Sequence, residues 1–158
     1  MTLADAVAFL VDGEPIPTLD AVVTTVAGRL RIYCELKGED TAGPATACLS
    51  ALGDRAAVHS FDHRMVAEAR RVAPDVARGV LEASYHEDPC FPMRAVGARD
   101  LWQSEALIDS ALVAAVHAAG GRVIAWTVND AARAVELAAL GVDGLCTDDV
   151  AAVRAALD

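Results

Sequence analysis

The segment Arg31-Ile32-Tyr33-Cys34-Glu35-Leu36-Lys37 is predicted to be a buried strand that ends in a carboxylate and an ammonium group. Successive side chains of a strand point to opposite faces, so Glu35 and Lys37 are expected on the same face. An acid and a base at the carboxyl end of an apolar strand is a common way for an α/β protein to present chemistry. A structural ion pair at a strand end is the alternative interpretation, and this segment alone leaves both open.

Strands and helices alternate around this segment. Six strands are predicted, at residues 31–37, 56–61, 77–83, 98–102, 122–128 and 142–147. Apolar residues at helical spacing predict helices at residues 2–11, 18–27, 45–52, 62–73, 109–119, 129–140 and 149–157. Thr2, Thr18, Asp62, Asp109, Asn129-Asp130 and Asp148-Asp149 are the expected N-caps, and residues 85–92 are expected to form a loop. Alternation of this kind predicts a parallel sheet with crossover helices.

Length and composition predict a single domain that spans residues 1–158. The chain has 158 residues, of which 54% are hydrophobic, so it can bury a substantial core. Its net charge of −10 argues against nucleic acid or an anionic membrane as the main partner. No apolar run reaches the roughly 18 residues that a membrane helix needs, and the first residues lack the basic region of a secretory signal. A soluble, cytoplasmic protein is therefore expected.

Several common site signatures are missing from the sequence. It contains no GxGxxG, GxxxxGK[ST] or GxSxG segment, which removes the main support for a nucleotide-binding fold or a serine hydrolase elbow. Its four cysteines have no CxxC spacing. The cysteines are therefore expected to be reduced and buried, and a cysteine-bound zinc ion is not expected.

Six segments, in this order and spacing, resemble the last six β/α units of the glycerophosphodiester phosphodiesterase family, which are metal-dependent (β/α)8 barrels. The segments are Ile16-Pro17-Thr18-Leu19-Asp20, Glu35-Leu36-Lys37, Ser60-Phe61-Asp62, His117-Ala118-Ala119-Gly120, Trp126-Thr127-Val128-Asn129-Asp130 and Gly141-Val142-Asp143-Gly144-Leu145-Cys146-Thr147-Asp148. The resemblance covers essentially the whole chain. It implies an α/β fold, a parallel-stranded, incomplete TIM-type barrel with about six β/α units.

The departures from the family pattern bear on activity. The family opens with a His-Arg-Gly strand end, a Glu-x-Asp strand end and a His-Asp loop, which supply both catalytic histidines and two of three metal carboxylates. None of these segments occurs here, so the chain is expected to be an N-terminally truncated domain that is inactive or incomplete alone. The family's Thr-Leu-x-Glu capping box also has Ala21 in place of Glu.

The retained positions imply hydrolysis of a glycerophosphodiester to glycerol phosphate and an alcohol. Glu35 would be one ligand of a divalent cation, Mg²⁺ or Ca²⁺, held weakly because one carboxylate rarely binds either ion tightly. Lys37 would contact the phosphate as a point charge. Asn129 is a retained strand-end position, and Phe61 and Trp126 would form apolar walls or else part of the barrel core.

No family histidine remains to act as acid or base. His59 and His86 are the candidates to replace them, and for His59 the alternative is a half-buried structural histidine. His63 is expected to be solvated, His117 is expected to lie far from the strand carboxyl ends, and Glu82 could face the cleft.

Six strands of an eight-stranded barrel leave two open edges. The helical stretches before the first strand could fold over the gap, two copies could form a homodimer, or a complementing N-terminal segment could supply the missing strands. Three hypotheses follow: part of a phosphodiesterase, competent only with its complement; a non-catalytic binding or interaction module; or an open doubly wound α/β ligand-binding domain.

Overall fold

The computed structural model of the protein describes residues 3–158. The helices are α1 (Leu3–Ala8), α2 (Leu19–Val26), α3 (Ala42–Leu49), α4 (His63–Val72), α5 (Phe91–Val96), α6 (Ser110–Ala118), α7 (Ala131–Leu140) and α8 (Val150–Leu157). The strands are β1 (Leu10–Val11), β2 (Glu14–Pro15), β3 (Ile32–Glu35), β4 (Ala56–Ser60), β5 (Ala77–Glu82), β6 (Asp100–Ser104), β7 (Arg122–Trp126) and β8 (Gly144–Leu145). None of the helices within these residues is long and apolar enough to cross a membrane.

Six strands form one parallel sheet, and their spatial order is the chain order from β3 to β8. The sheet curls into a half barrel, which confirms the predicted partial TIM-type fold. A doubly wound sheet would reverse its strand order at a switch point, and this sheet does not. Among the described residues, β3 and β8 each pair with a single strand, so both margins of the sheet are free.

Side-chain alternation divides the sheet into a convex and a concave face. On the convex face Val80 and Val123 are fully buried in one apolar cluster beneath the helices, and Val58 is fully buried in a second. On the concave face Trp102 and its neighbours form a smaller apolar cluster with Leu81 and Ile124. The larger core is therefore outside the curl, between sheet and helices, as in a barrel whose helices form the outer ring.

Several predicted boundaries differ from the structure: the helix predicted at residues 45–52 is Ala42–Leu49, and the strand predicted at residues 142–147 is Gly144–Leu145. Two further differences have identifiable reasons. The helix predicted at residues 2–11 ends at Ala8, because Asp12 and Gly13 adopt positive φ angles of 53° and 87° and reverse the chain into the β1–β2 hairpin. The loop predicted at residues 85–92 contains the start of α5, where Pro92 occupies the first turn of the helix. Proline is tolerated there because its missing N–H has no partner within the helix.

The predicted N-caps are largely confirmed. Side-chain oxygens of Thr18, Asp62, Asp109, Asp130 and Asp149 accept hydrogen bonds from backbone N–H groups in the first turns of α2, α4, α6, α7 and α8. Thr2 lies outside the described residues. Asp148 caps no helix and instead accepts a hydrogen bond from Asn129. Short polar side chains thus fix where most of the crossover helices begin.

Candidate functional site

The end of β3 opens into a surface cavity of about 320 Å³ that contains both Glu35 and Lys37. The Lys37 Nζ atom lies 3.3 Å from Glu35 Oε2, so the two side chains share one face, as alternation predicted. The Lys37 side chain is 76% exposed and that of Glu35 is 30% exposed. An ion pair this open to water contributes little to stability, so its charges remain available to a ligand.

Ser60 holds the two strand ends around this cavity together. Its hydroxyl is buried, donates a hydrogen bond to the Leu36 carbonyl oxygen at 2.7 Å and accepts one from the Asp62 N–H at 3.0 Å. Asp62 also accepts hydrogen bonds from the Arg64 guanidinium, which lower the pKa of Asp62 to about 2. The loop after β4 is therefore tied to β3, and the Asp62 carboxyl is not available as a proton donor near neutral pH.

Two aromatic rings meet at the mouth of the curl. Phe61 and Trp126 pack edge to face, with ring centroids 5.2 Å apart and planes at 90°. The Trp126 Nε1–H donates to the Trp102 carbonyl oxygen at 3.0 Å, and the Phe61 side chain, which also lines the cavity, remains 51% exposed. Between the two interpretations of these residues, the exposure of Phe61 favours an accessible apolar wall.

His59 lies on the concave face beside Glu35, its register partner on β3. Only 6% of its surface is exposed, and its ring stacks on Trp102 with centroids 4.2 Å apart and planes 12° from parallel. Its Nδ1 is buried and has no hydrogen-bond partner among the described residues. Burial lowers the pKa of His59 to about 4, although the nearby carboxylates of Glu35 and Asp100 oppose the shift. The imidazole is therefore neutral at physiological pH, and its burial favours a structural role.

Two histidines lie close to the carboxylate of Glu82, at the end of β5. His86 Nε2 lies 3.0 Å from Glu82 Oε2, and His63 Nε2 lies 3.6 Å from Glu82 Oε1. The Glu82 side chain is only 12% exposed, whereas His86 is 38% exposed. This cluster includes one of the two candidate histidines and places its buried Nε2 beside a carboxylate, although the two atoms do not meet with the geometry of a hydrogen bond.

His63 is the residue that sequence reasoning missed. It was expected to be solvated, but its side chain is 30% exposed and its Nε2 lies 3.3 Å from the Leu81 carbonyl oxygen. The signal was its place directly after the Asp62 N-cap. In a β/α unit the first turn of the helix lies at the same end of the sheet as the strand carboxyl ends, so a side chain there can face the next strand.

Asn129 connects the loops that follow β7 and β8. Its side-chain oxygen accepts hydrogen bonds from Thr147 Oγ1 and the Asp148 N–H, at 3.1 and 2.9 Å, and its Nδ2 donates to Asp148 Oδ2 at 2.8 Å. Both ends of the amide are thus engaged within the protein. His117 binds Asp143 at 2.9 Å, at the start of β8, far from the strand carboxyl ends as expected.

The donor set for a divalent cation is small. Among residues 3–158, no three His, Cys, Asp or Glu side chains are grouped so that they could hold a metal ion. Glu35 is a single carboxylate and is already 3.3 Å from the Lys37 ammonium. Mg²⁺ and Ca²⁺ prefer several oxygen ligands, so these residues do not by themselves fit a tightly bound ion.

Comparison with solved structures identifies close matches of fold. A phosphodiesterase of Oleispira antarctica, solved with the product sn-glycerol-3-phosphate, superimposes with a TM-score of 0.80 and 24% identity, over 92% of this chain and 63% of that chain. A protein of Silicibacter pomeroyi assigned to the glycerophosphoryl diester phosphodiesterases gives a TM-score of 0.83 and 24% identity, over 92% of this chain and 57% of that one.

Sequence comparisons identify the family. YhdW of Bacillus subtilis, a protein assigned to the glycerophosphodiester phosphodiesterases, is 28% identical over 151 residues, which cover 86% of this chain and 60% of YhdW. The chain therefore spans less than two thirds of the length of these relatives. The model of the glycerophosphoryl diester phosphodiesterase family matches residues 4–152, nearly the entire chain. On that match, this protein belongs to the glycerophosphodiester phosphodiesterase family.

Proposed function

We propose that this chain provides the phosphate-binding part of a glycerophosphodiester phosphodiesterase, which hydrolyses a glycerophosphodiester to glycerol phosphate and an alcohol. The observation that carries the proposal is the Glu35–Lys37 pair in an open cavity at the end of β3, in a chain of this family. An ammonium group that is 76% exposed can approach the anionic oxygens of a phosphodiester as a point charge.

The neighbouring groups suit the rest of such a substrate. The exposed ring of Phe61, backed by Trp126, offers an apolar surface beside the charged pair. Glu35 and Asp62 both line this cavity, but Asp62 is paired with Arg64. We propose that Glu35 is the carboxylate available to a divalent cation and that the chain binds Mg²⁺ or Ca²⁺ weakly. The carbon stem of Lys37 lets its ammonium group move from Glu35 towards a bound phosphate.

Hydrolysis also needs a base for the nucleophile and an acid for the leaving alkoxide. His59 is neutral but buried beneath Trp102, which keeps it from a substrate in the cavity. His86 is the better candidate for proton transfer, because its side chain is 38% exposed and its Nε2 lies 3.0 Å from Glu82 Oε2. We propose that the chain alone binds the phosphate group but does not complete the reaction, and that residues 1–158 form one incomplete domain.

The test is hydrolysis of glycerophosphocholine by the purified chain with Mg²⁺ or Ca²⁺, together with calorimetric binding of sn-glycerol-3-phosphate. We expect binding without turnover, and weaker binding by about tenfold for Lys37→Ala. Arg154→Ala, which removes a positive charge from α8, is the matched control and should bind like the wild type. Absence of binding by the wild-type chain would refute the proposed phosphate site.

Turnover by the chain alone would contradict the proposed incompleteness. If that turnover disappeared in Glu35→Ala and persisted in Glu136→Ala, an exposed acid on α7, the cavity at β3 would be a complete active site. His86→Ala and His59→Phe would then identify which imidazole transfers the proton.

A non-catalytic binding module is the second candidate function. It is favoured by the absence, among the described residues, of a grouped metal-ligand set. Metal dependence separates the two: Mg²⁺ or Ca²⁺ should strengthen the binding of sn-glycerol-3-phosphate by a phosphodiesterase part, whereas a binding module should be indifferent to either ion.

A further inference from the structure

We infer that Ser60 is a positioning residue for phosphate binding, because its buried hydroxyl fixes the peptide group from which the Lys37 side chain extends into the cavity. The inference rests on the proposed function, since it concerns the same site. The arrangement of Lys37 can nevertheless be measured without any ligand, so the two claims can be tested separately.

The last hydrogen bonds between β3 and β4 show what this hydroxyl replaces. The Leu36 N–H donates to the His59 carbonyl oxygen at 2.8 Å, as in a regular parallel ladder. Continued pairing would give the Leu36 carbonyl oxygen the N–H of Phe61, two residues after His59. That carbonyl oxygen instead accepts a hydrogen bond from the Ser60 hydroxyl at 2.7 Å. A side chain thus takes the place of a backbone donor where the ladder ends.

The Leu36 carbonyl belongs to the peptide group that joins Leu36 to Lys37. Among the residues that the structure describes, Ser60 makes the only hydrogen bond to this peptide group. Gly38 follows directly, and glycine has the greatest backbone freedom of any residue, so the chain after Lys37 restrains it little. The position of the Lys37 Cα atom therefore depends on the Ser60 hydroxyl.

The same hydroxyl turns the chain on the other side of the cavity. Its oxygen accepts a hydrogen bond from the Asp62 N–H at 3.0 Å, two residues further along the chain. Serine, like asparagine and aspartate, forms a tight turn when its side chain bonds to the backbone two residues ahead. This turn contains Phe61, which lines the cavity, and it ends at Asp62, the N-cap of α4. One hydroxyl therefore connects the end of β3 to the loop after β4.

Burial makes the loss of this hydroxyl difficult to compensate. Ser60 is 1% exposed and Leu36 is 3% exposed, so water has little access to replace the missing donor. A buried carbonyl oxygen without a partner is costly, and the chain relieves that cost by moving where it is least restrained. Here that part is the strand end before Gly38, so removal of the hydroxyl should displace or loosen Lys37.

An anchored Lys37 should bind a phosphate group more tightly than a mobile one. The Lys37 side chain is 76% exposed, and its ammonium group lies 3.3 Å from Glu35, so its own contacts restrain it little. A phosphate that binds to a loosened strand end must also order that segment. Ordering a mobile group of this size lowers affinity by about threefold to tenfold. We expect Ser60→Ala to weaken the binding of sn-glycerol-3-phosphate by that factor.

The first measurement uses the intact chain without a ligand. The backbone order parameter of Lys37, from nitrogen NMR relaxation, should fall from about 0.85, typical of rigid backbone, to below about 0.6 in Ser60→Ala. Thr46→Val is the matched control, because Thr46 is also 1% exposed and its hydroxyl donates to the Ala42 carbonyl oxygen at 2.8 Å. Thr46 lies within α3, away from the cavity, so its substitution should leave the Lys37 value unchanged.

A double-mutant cycle then attributes the change in affinity to Lys37. In the Lys37→Ala background, Ser60→Ala should alter the affinity for sn-glycerol-3-phosphate by less than about twofold, because the group that it positions is gone. Ser60→Cys fills nearly the same volume with a weaker donor and should act like Ser60→Ala. It provides the same test if the alanine variant does not fold. Circular dichroism confirms that each variant is folded.

Two results would overturn the inference. The first is an unchanged order parameter of Lys37 when the Ser60 hydroxyl is removed. The second is an equal loss of affinity in the wild-type and Lys37→Ala backgrounds, which would mean that Ser60 acts on the fold in general. If the wild-type chain bound no sn-glycerol-3-phosphate, the proposed function would fail, whereas the order parameter would still decide whether Ser60 positions Lys37.

Discussion

Gly79 lies on the concave face of β5, directly against the indole ring of Trp102. A Cβ atom at this position would lie 2.9 Å from Trp102 Cδ1 and 3.2 Å from the Asp100 carbonyl oxygen. We expect Gly79→Ala to lower the free energy of unfolding by about 1–3 kcal/mol, because the ring must move and the backbone oxygen cannot. Urea denaturation measures the change.

The matched control for this substitution is Gly43→Ala, in α3. A Cβ atom there meets no atom within 4 Å, and alanine is the better helix former. Gly43→Ala should be neutral or stabilise the protein by up to about 1 kcal/mol. An equal effect of both substitutions would mean that Trp102 does not pack as described.

His59 predicts a specific pH dependence of stability. Burial lowers its pKa from 6.5 to about 4 in the folded protein, whereas the unfolded chain keeps the ordinary value. Between those two values the unfolded state binds a proton that the folded state does not, so stability falls as the pH decreases from about 6.5 to about 4. The loss is on the order of 3 kcal/mol.

The substitution His59→Phe isolates this effect, because phenylalanine can stack on Trp102 but cannot titrate. The difference in unfolding free energy between about pH 7 and about pH 4.5 should be smaller in the variant than in the wild type by most of that amount. Carboxylates titrate in both proteins and cancel in the comparison. An unchanged difference would show that His59 is protonated in the folded state as readily as in the unfolded state.

Contacts within one strand could be predicted from the sequence, whereas contacts between separate β/α units could not. Alternation along β3 was enough to place Glu35 and Lys37 together, because the two residues are on the same strand. The contact of His63 with Glu82 and the engagement of Asn129 by Asp148 depend on how separate β/α units face each other. That relation is set by helix packing across the sheet, which local sequence does not encode.

At the scale of elements, a substitution at the N-terminus of α2 should stabilise the protein. Thr18 already accepts a hydrogen bond from the Ala21 N–H at 3.2 Å, but Ala21 cannot return one to the backbone of Thr18. Ala21→Glu would complete the reciprocal pair and add a negative charge near the helix N-terminus. We expect a gain of about 0.5–1 kcal/mol in the free energy of unfolding, measured by thermal and urea denaturation.

The control for this prediction is Ala21→Lys, which has similar length and helix propensity but cannot accept a hydrogen bond. It should give no gain, and Thr18→Ala should cost about 1 kcal/mol. If Ala21→Lys stabilised the protein as much as Ala21→Glu, the effect would come from the helix propensity of long side chains and not from the cap.

Elements with strong start and stop signals were predicted within a few residues, as for α6 after Asp109 and α7 between Asp130 and Gly141. The short helix α5 was missed because its Pro92 is equally compatible with a loop and with a first helical turn. The β1–β2 hairpin was missed because the apolar residues before it also fit a helical spacing.

At the scale of the whole molecule, stability should be distributed unevenly. The strands β4 to β7 each have two neighbours, whereas β3 and β8 have one and the hairpin β1–β2 stands apart from the sheet. We expect amides of β4 to β7 to exchange slowest in the free chain, at rates that report global unfolding, and amides of the hairpin to exchange fastest. Hydrogen exchange with mass spectrometry measures the pattern.

Slow exchange in β8 or β3 equal to that in β5 would contradict this distribution for the free chain.

The fold itself could be predicted from sequence because alternating β/α units constrain the topology to a parallel sheet with few arrangements. Whether the edge strands β3 and β8 are covered could not be predicted, because that depends on residues outside each strand.

The strand order also has a consequence for synthesis in the cell. From β4 to β8, each strand of the sheet pairs with the strand that precedes it in the chain, and every pairing in the described sheet joins consecutive strands. Contacts between successive units close loops of modest length, which favours rapid folding. A nascent chain can therefore add one β/α unit at a time to the sheet as it leaves the ribosome, so that few apolar strands are exposed to aggregation during translation.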